Sequence, residues 1–345
     1  ERKQDSGYHG FAVRSDPEIT LEEDLLRRDL TINAIAEDDE GRLIDPYGGE
    51  RDLQQRVLRH VSPAFAEDPL RILRLCRYAA RYHSFGFSVA PETMTLLQEM
   101  VSNGEVDTLV AERVWQETAS ALLEESPAIY FTQLRQTGAL GRIFPEIDRL
   151  FGVPQPPHHH PEIDCGVHTM MVLTQAARLS TDLAVRFAAL VHDLGKGTTA
   201  VDLLPRHIAH EERGEKLVKE LCRRLKVPSR VTELARLVTR YHGLYHRAEE
   251  LRPETVLKLF QQLDLFRRPQ RLEQFLLACE ADSRGRQGFA DNHYRQPQRL
   301  RDYFQAVMAV ESQAIIAAGF RGKAIGEELQ RRRIEQLRLL AKRDG

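Results

Sequence analysis

Two side chains of opposite charge stand three residues apart in the segment Glu67-Asp68-Pro69-Leu70-Arg71. Pro69 suits the first turn of a helix, so Asp68 and Arg71 are expected on one helix face. Such a pair can recognise a base: the carboxylate accepts from the exocyclic amino group of cytosine or adenine, and the guanidinium donates to the neighbouring ring nitrogen. Uracil and guanine present a carbonyl there, and two facing acceptors exclude them. The alternative is an ordinary salt bridge between residues i and i+3.

Further arginines follow this pair along the predicted helix. Arg74, Arg77 and Arg81 complete a basic stripe beside it. A guanidinium is planar and permanently charged, so a stripe of this kind suits a triphosphate. Arg28 and Asp29 precede the apolar run 30–36, which can hold a guanidinium beside the phosphates.

A second kind of chemistry is indicated by the doublet His192-Asp193, which is followed by Gly195-Lys196-Gly197. Imidazole and carboxylate ligands together suit a divalent transition metal or Mg²⁺, and such an ion activates water and polarises a phosphoryl group. We predict that His192 and Asp193 are catalytic, and that Lys196 meets the substrate phosphate. With His168 upstream and Asp282 downstream, the doublet resembles the pattern of HD phosphohydrolases, and this resemblance implies that His168, His192, Asp193 and Asp282 are the metal ligands. The alternative is a structural His–Asp doublet.

Other histidines are weaker candidates for ligands. His207, His210 and His242 lie on later segments. The triplet 158–160 belongs to the proline-rich segment 153–161, which has no periodicity and is predicted to be a linker. The three histidines are therefore expected in an exposed loop.

The elements that must position these residues are strands at the start of the chain and helices afterwards. Strand patterns fall at 8–13, with no partner expected upstream, at 30–36 and at 42–45. From Pro69 onward apolar residues recur at helical spacing almost without interruption, and the last predicted helix is 327–343. The fold class is therefore mainly α.

Composition limits the classes of function. The chain has 345 residues, of which 42% are hydrophobic, and no apolar run approaches the length of a membrane span. The net charge of −2 gives no bulk attraction to nucleic acid, so any RNA contact must come from local basic clusters. The four cysteines are widely spaced, which favours a cytoplasmic location.

These motifs resemble those of bacterial CCA-adding tRNA nucleotidyltransferases that carry an HD domain. The resemblance covers nearly the whole chain and is carried by the blocks Arg28-Asp29-Leu30-Thr31-Ile32-Asn33-Ala34, Asp45-Pro46-Tyr47, Glu67-Asp68-Pro69-Leu70-Arg71, Phe144-Pro145-Glu146-Ile147 and Gly166-Val167-His168-Thr169. It implies the C-terminal part of a polymerase-β-like α/β head, followed by an all-helical neck, body, HD domain and tail. The expected divisions are 1–62 for the head, 63–152 for neck and body, 160–266 for the HD domain and 267–345 for the tail.

The resemblance also implies an activity. This is addition and repair of the 3′-terminal CCA of tRNA from CTP and ATP with Mg²⁺, by a monomer or homodimer without a membrane partner. Arg28, Arg74 and Arg77 would then bind the incoming nucleotide, and Asp68 and Arg71 would form its template. The HD domain would hydrolyse 2′,3′-cyclic phosphates, 2′-nucleotides and other phosphoesters with Ni²⁺ or Mg²⁺. Related chains often have an acid after the residue equivalent to His242, where this chain has glycine.

One part of the family pattern is expected upstream of Glu1. The family carries a Gly-Gly-x-x-Arg-Asp phosphate loop and an Asp-x-Asp metal pair before the first motif found here, and transfer requires such carboxylates. We therefore expect the intact enzyme to begin earlier, and this chain alone to bind nucleotide weakly without transferring it. One alternative is a stand-alone HD phosphohydrolase with a non-catalytic head, and another is a non-catalytic tRNA-binding protein.

Overall fold

The computed structural model describes residues 2–3, 11–12, 19–158 and 160–343. It is 66% helix and 4% strand, which confirms a mainly α fold. The helices are α1 Leu21–Leu26, α2 Gly49–Gln55, α3 Leu70–Tyr82, α4 Pro91–Ser102, α5 Ala111–Leu122, α6 Pro127–Gln136, α7 Ala139–Ile143, α8 Pro145–Asp148, α9 Cys165–Leu179, α10 Leu183–Val191, α11 His210–Arg224, α12 Ser229–His246, α13 Pro253–Gln262, α14 Arg271–Arg284, α15 Gln296–Met308, α16 Ser312–Ala317 and α17 Lys323–Arg343.

Strands form three short pairs within the described residues. The antiparallel pairs are β1 Arg2–Lys3 with β2 Phe11–Ala12 and β3 Ala36–Glu37 with β4 Leu43–Ile44, and the parallel pair is β5 Val57–Leu58 with β6 Ser88–Val89. Of the predicted strand 8–13, only β2 falls within the described residues. It pairs with β1, so the expectation that it lacks an upstream partner is wrong.

The predicted strand 30–36 is largely wrong. A single turn of 3₁₀ helix occupies Thr31–Asn33, and strand structure begins only at Ala36. The cause is local hydrogen bonding by Asp29, whose Oδ1 accepts from the backbone N–H of Leu30 and from the amide of Asn33. A side chain that satisfies its own neighbours in this way competes with a strand ladder.

Helix α3 presents two different faces. Its buried face includes Ile72, Leu73, Cys76 and Ala80, and it packs against α5 and α6. The arginines at spacings of three and four residues fall on the other face. Because its buried face is packed on α5 and α6, the helix holds a row of arginines in fixed positions on its other face.

A bundle of α9, α10, α12 and α14 forms the second half of the fold. Helix α10 is buried along all positions from Ala184 to Val191, as expected of a central helix. Trp115 of α5 meets Phe187 of α10 edge-to-face, with ring centroids 5.3 Å apart, so the two halves share one hydrophobic core. The next residue after α10 is His192.

The segment predicted to be a linker is tied to this bundle. Pro154 pairs with Asp164 in an antiparallel bridge, and Gln155 is 1% exposed. The segment folds back along the bundle because Asp164 caps α9 by accepting from the N–H of Val167. The described part of the segment has no helix or strand, as its composition predicts, but its residues Pro154 and Gln155 are packed against the bundle. Among the described residues, no helix is long and apolar enough to cross a membrane.

Candidate functional site

A cavity of about 570 Å³ lies between the segment around Asp29 and the first turns of α3. We call it the arginine pocket, and the lining residues that carry its chemistry are Arg28, Asp29, Asp68, Arg71, Arg74 and Arg113. Four of the five residues predicted to bind nucleotide therefore share one cavity. Arg77 is outside this lining, since it is 11% exposed in its side chain and donates to Glu117 at 2.8 Å.

Asp68 and Arg71 line the pocket but do not pair with each other. Asp68 precedes α3 with an extended backbone, so it is not on the helix face that its spacing predicts. Its Oδ1 accepts from the N–H of Leu70 at 3.0 Å, and its Oδ2 accepts from Arg113 at 2.9 Å. Arg71 donates to the backbone carbonyls of Ala64 and Arg27. Both side chains are thus held by the protein at the pocket wall.

The other pocket arginines differ in exposure. Arg74 donates to Asp29 at 2.8 to 2.9 Å; burial raises the pKa of Asp29, but hydrogen bonds from Asn33 and the charge of Arg74 outweigh it and lower that pKa. Arg28 pairs with Asp24 at the surface and is 48% exposed in its side chain. Arg28 also donates to the backbone carbonyl of Asn33 at 3.2 Å, but it is more exposed than Arg74 and can reorient towards an anion more easily.

The predicted metal ligands converge from three helices of the bundle. His168 lies in the first turns of α9, His192 and Asp193 follow α10, and Asp282 lies near the end of α14. The Oδ1 of Asp282 is 3.0 Å from Nε2 of His168 and 3.6 Å from Nε2 of His192. All four residues are 5% exposed or less. The structure therefore brings the whole predicted ligand set together.

The orientation of His192 tests whether a cation fits here. Its Nδ1 lies 2.8 Å from the carbonyl of Ala189, which makes Nδ1 the protonated nitrogen and leaves a lone pair on Nε2. Nε2 is buried without a hydrogen bond, although Asp193 Oδ2 is only 3.1 Å away. In the neutral ring, that lone pair faces carboxylate oxygens, which is unfavourable unless a cation lies between them, either a proton on Nε2 or a metal ion that replaces it. The donor set therefore fits a divalent ion.

The opposite charges in the cluster shift each pKa so that the charged form of each side chain is favoured. Burial lowers the pKa of His192, but the carboxylates of Asp193 and Asp282 outweigh it and raise that pKa to about 10. Burial raises the pKa of both carboxyl groups, but the neighbouring cationic side chains hold both well below the usual range. The two aspartates are therefore ionised and available as ligands.

A second group of possible ligands adjoins the first through Asp193. The Oδ1 of Asp193, buried without a hydrogen bond, lies 3.4 Å from Nε2 of His210 and 3.6 Å from Nε2 of His242. Both histidines place Nδ1 against backbone carbonyls, at 2.9 Å and 3.1 Å. His207 does not join them, because its ring contacts Thr199 and Pro154.

Close packing brings α11 to this second group. A Cβ on Gly195 would lie 1.9 Å from the carbonyl oxygen of His210, so only glycine permits the approach. A Cβ on Gly243 would lie 2.8 Å from Oε1 of Glu211. The residue after His242 is glycine in this chain, and a carboxylate from α11 stands beside that position.

The cluster opens on a cavity of about 390 Å³. Its wall includes Arg286, Tyr294 and His246, which the sequence analysis did not identify. Lys196 also lines it, but its Nζ is 2.7 Å from Asp193 Oδ2 and 2.9 Å from Gln155 Oε1. Lys196, which the sequence predicts to meet the substrate phosphate, is thus paired with Asp193, one of the predicted metal ligands.

The triplet of histidines is only partly an exposed loop. His158 is exposed, and His159 lies outside the described residues. His160 contradicts the prediction, since its side chain is 17% exposed and lines the cavity, with its ring 4.7 Å from that of His168. The neighbouring turn brings it in, and no periodic signal in the sequence could have found this.

Three family models match the chain. Residues 2–59 match the poly A polymerase head domain, residues 86–151 match the probable RNA and SrmB-binding site of polymerase A, and residues 166–278 match the HD domain. The last match includes three of the four predicted metal ligands. The arginine pocket takes residues from the first two matched ranges and from the unmatched stretch between them, whereas the cluster around His192 lies mostly in the third.

Proteins with similar sequences are known from several bacteria. The multifunctional CCA protein of Thioalkalivibrio sulfidiphilus is 60% identical over 99% of this chain and 83% of the relative. That of Alkalilimnicola ehrlichii is 58% identical over 99% of this chain and 82% of the relative.

Solved structures show the same fold. The Thermotoga maritima CCA-adding enzyme complexed with tRNA has a TM-score of 0.59 at 21% identity, covering 92% of this chain and 70% of that one. A CCA-adding enzyme with CTP has a TM-score of 0.58 at 21% identity, covering 92% of this chain and 68% of that one. At 60% identity over nearly its full length, the chain belongs to the family of multifunctional CCA proteins.

Proposed function

We propose that this chain takes part in adding and repairing the 3′-terminal CCA of tRNA from CTP and ATP. The observation that carries the proposal is the arginine pocket, which gathers Arg28, Asp68, Arg71 and Arg74 around one cavity of nucleotide size. The names of its relatives support the same activity. Arg28 and Arg74 are assigned to the phosphates, because both present guanidinium groups at the cavity wall. Arg77 stays a predicted ligand that would have to leave Glu117.

The base would be selected by hydrogen bonding to fixed side chains. Asp68 accepts from the exocyclic amino group of cytosine or adenine, and Arg71 donates to the neighbouring ring nitrogen. Arg113 already donates to Asp68, so it limits the positions that the carboxylate can take. Uracil and guanine would leave buried acceptors facing one another, which costs about 1–3 kcal/mol.

We also propose that the cluster around His192 is a metal-dependent phosphohydrolase centre. His168, His192, Asp193 and Asp282 would hold one divalent ion, Ni²⁺ or Mg²⁺. Asp193, His210 and His242 offer a second ligand group. Such an ion activates a water molecule and polarises the phosphoryl group. The substrates proposed are 2′,3′-cyclic phosphates, 2′-nucleotides and other phosphoesters, with Arg286 at the cavity wall available to the phosphate.

The packing of α14 supports one change to the expected domain organisation. Helix α14 packs on α9, α10 and α12 and carries Asp282, so we propose that the HD domain continues through residue 284 rather than ending at 266. The head 1–62, the neck and body 63–152 and a tail after α14 complete the division.

Mg²⁺ for transfer, a monomeric or homodimeric state and a cytoplasmic location belong to the same proposal. All four cysteines are described, buried and free of disulfides, which supports a reducing compartment.

Two measurements test the two sites separately. Equilibrium binding of CTP, ATP, UTP and GTP to this chain should show CTP and ATP binding more tightly, and equal affinity for all four would contradict the template. His192→Ala should abolish metal-dependent hydrolysis of 2′,3′-cyclic phosphates while leaving CTP binding unchanged. Loss of both would mean that His192 maintains the fold, and persistence of hydrolysis would remove it from the centre. The stand-alone phosphohydrolase is less supported, because the relatives match 99% of the chain rather than the HD domain alone.

A further inference from the structure

Glu162 enters the metal-ligand cluster from a segment outside the bundle helices. It belongs to the turn that precedes α9, yet its side chain is only 1% exposed. A carboxylate buried to this extent requires compensating partners. Its partners show what it does.

The two carboxylate oxygens of Glu162 face different elements. Oε1 lies 2.9 Å from Nδ1 of His168 and 3.0 Å from Nδ1 of His160. Oε2 accepts from the backbone N–H of Gln287 at 3.2 Å. Gln287 follows α14, which carries Asp282. Glu162 therefore connects the helix that supplies one proposed ligand to the loop behind the helix that supplies another.

His168 differs from the other proposed histidine ligands in the group that faces its Nδ1. His192, His210 and His242 all place Nδ1 against backbone carbonyls. His168 instead has Glu162 Oε1 at 2.9 Å, although the angle falls outside that of a well-formed hydrogen bond. A carboxylate behind an imidazole favours the tautomer with its proton on Nδ1 and makes Nε2 a stronger ligand.

The strained backbone next to Glu162 shows that surrounding hydrogen bonds hold this turn in place. Ile163 has φ +61°, a left-handed conformation that a β-branched residue rarely adopts. It is held there by hydrogen bonds from its N–H to His160 and from Gln155 to its carbonyl, at 2.9 Å and 2.8 Å. Backbone strain of this kind persists only where the surrounding structure fixes it, and it is common beside functional sites.

We propose that Glu162 is a positioning residue of the metal centre: it sets the tautomer and orientation of His168 and holds the α9 and α14 ligands at a fixed separation. This rests on the proposed function of the cluster as a metal site. Glu162 itself is not a ligand of the first group, because Nδ1 of His168 lies between it and the ion that Nε2 would bind. Its removal should therefore weaken metal binding without abolishing it.

The test is the affinity of the metal-free, full chain for Co²⁺, measured by titration calorimetry together with the visible absorption spectrum of the bound ion. Glu162→Gln keeps the shape of the side chain and should weaken Co²⁺ binding about 10- to 100-fold. It should also change the spectrum, because the orientation of His168 changes. Glu162→Asp keeps the charge and should restore part of the affinity.

Two further variants separate the possible failures. Glu146→Gln removes a half-buried carboxylate that pairs with Arg224 and with none of the proposed metal ligands, and it should leave Co²⁺ affinity and spectrum unchanged. His192→Ala should reduce Co²⁺ binding far more than Glu162→Gln does. If His192→Ala binds like the parent, the metal site itself is wrong. If His192→Ala loses binding while Glu162→Gln keeps the parental affinity and spectrum, only the role of Glu162 is overturned.

Discussion

Arg113 donates to Asp68 across 2.9 Å and so joins α5 to the residue that precedes α3. The two side chains are 30% and 17% exposed, and both line the arginine pocket. The Oδ2 of Asp68 that receives Arg113 is also the oxygen left for a base, since Oδ1 accepts from the N–H of Leu70. A nucleotide must therefore share or displace Arg113.

Asp68→Ala should reduce the preference of the pocket for CTP over UTP by tenfold or more, because the acceptor that repels the uracil carbonyl is gone. Arg113→Ala should reduce it less, since Asp68 keeps its charge but loses its restraint. Equilibrium binding of the two nucleotides measures both effects. Arg142→Ala, which breaks an exposed pair with Asp107, is the control and should leave the preference unchanged. Parental selectivity in Asp68→Ala would remove it from the template.

Metal binding should strengthen as the pH rises. Without a metal, neighbouring carboxylates outweigh burial and raise the pKa of His192 to about 10, so its imidazole is protonated at neutral pH and cannot ligate. Because a bound metal ion must displace this proton, the affinity for the ion should rise about tenfold for each pH unit below that pKa. Co²⁺ titrations of chelator-treated protein between pH 6.5 and 8.5 measure the slope. His192→Ala should show a smaller slope, and a pH-independent affinity would contradict a protonated His192.

The raised pKa of His192 also means that the metal-free fold loses stability as the pH rises, whereas metal binding becomes stronger. A raised pKa stabilises the folded state while the group is protonated there. The contribution of His192 is therefore fully present below its ordinary pKa of 6.5 and is lost as the pH rises through about 10. In thermal unfolding, the difference between the parent and His192→Ala should shrink across that range.

That the proposed metal ligands lie together could be predicted from sequence, because their order along the chain resembles the pattern of HD domains. His192, Asp193 and Asp282 follow or lie on strongly periodic helices, which fix where side chains point. Glu162, His160 and Arg113 could not be predicted, since each reaches its partner through tertiary packing or an irregular turn. The conformation of Asp68 was missed for a similar reason: its Oδ1 accepts from the N–H of Leu70, which keeps it out of the helix.

Gly195→Ala should disturb the second ligand group by pushing α11 away. An added Cβ would lie 1.9 Å from the carbonyl oxygen of His210, and backbone cannot yield as a side chain can. Overpacking of this kind costs about 1–3 kcal/mol or more, and it should lower the thermal unfolding midpoint by several degrees. Gly326→Ala is the matched control, because nothing lies within 4 Å of its added Cβ in α17. An unchanged midpoint in Gly195→Ala would contradict the close approach of α11.

Arg186 should stabilise the contact between α5 of the first half of the fold and α9 and α10 of the bundle. It is 5% exposed and donates to the carbonyls of Leu122 and Glu124 at the C-terminal end of α5, and to those of Ala177 and Ser180 at the C-terminal end of α9. Leu122 and Ala177 lie in the last turns of their helices, where carbonyls lack an intrahelical partner, and Glu124 and Ser180 lie just past those ends. Arg186→Leu leaves these carbonyls buried and unpaired, which should cost about 2–4 kcal/mol and lower the thermal unfolding midpoint by about 5 °C or more.

The control for this change is Arg230→Leu, whose side chain is 78% exposed and pairs with Asp182 at the surface. It should shift the midpoint little, because exposed pairs contribute about 0–1 kcal/mol. Arg186 lies on α10, which ends at His192, and it holds the end of α5, which carries Arg113. Arg186→Leu should therefore weaken Co²⁺ binding and CTP binding together, whereas His192→Ala affects only the first. Parental affinity for both ligands in a destabilised Arg186→Leu would show that this contact is structural alone.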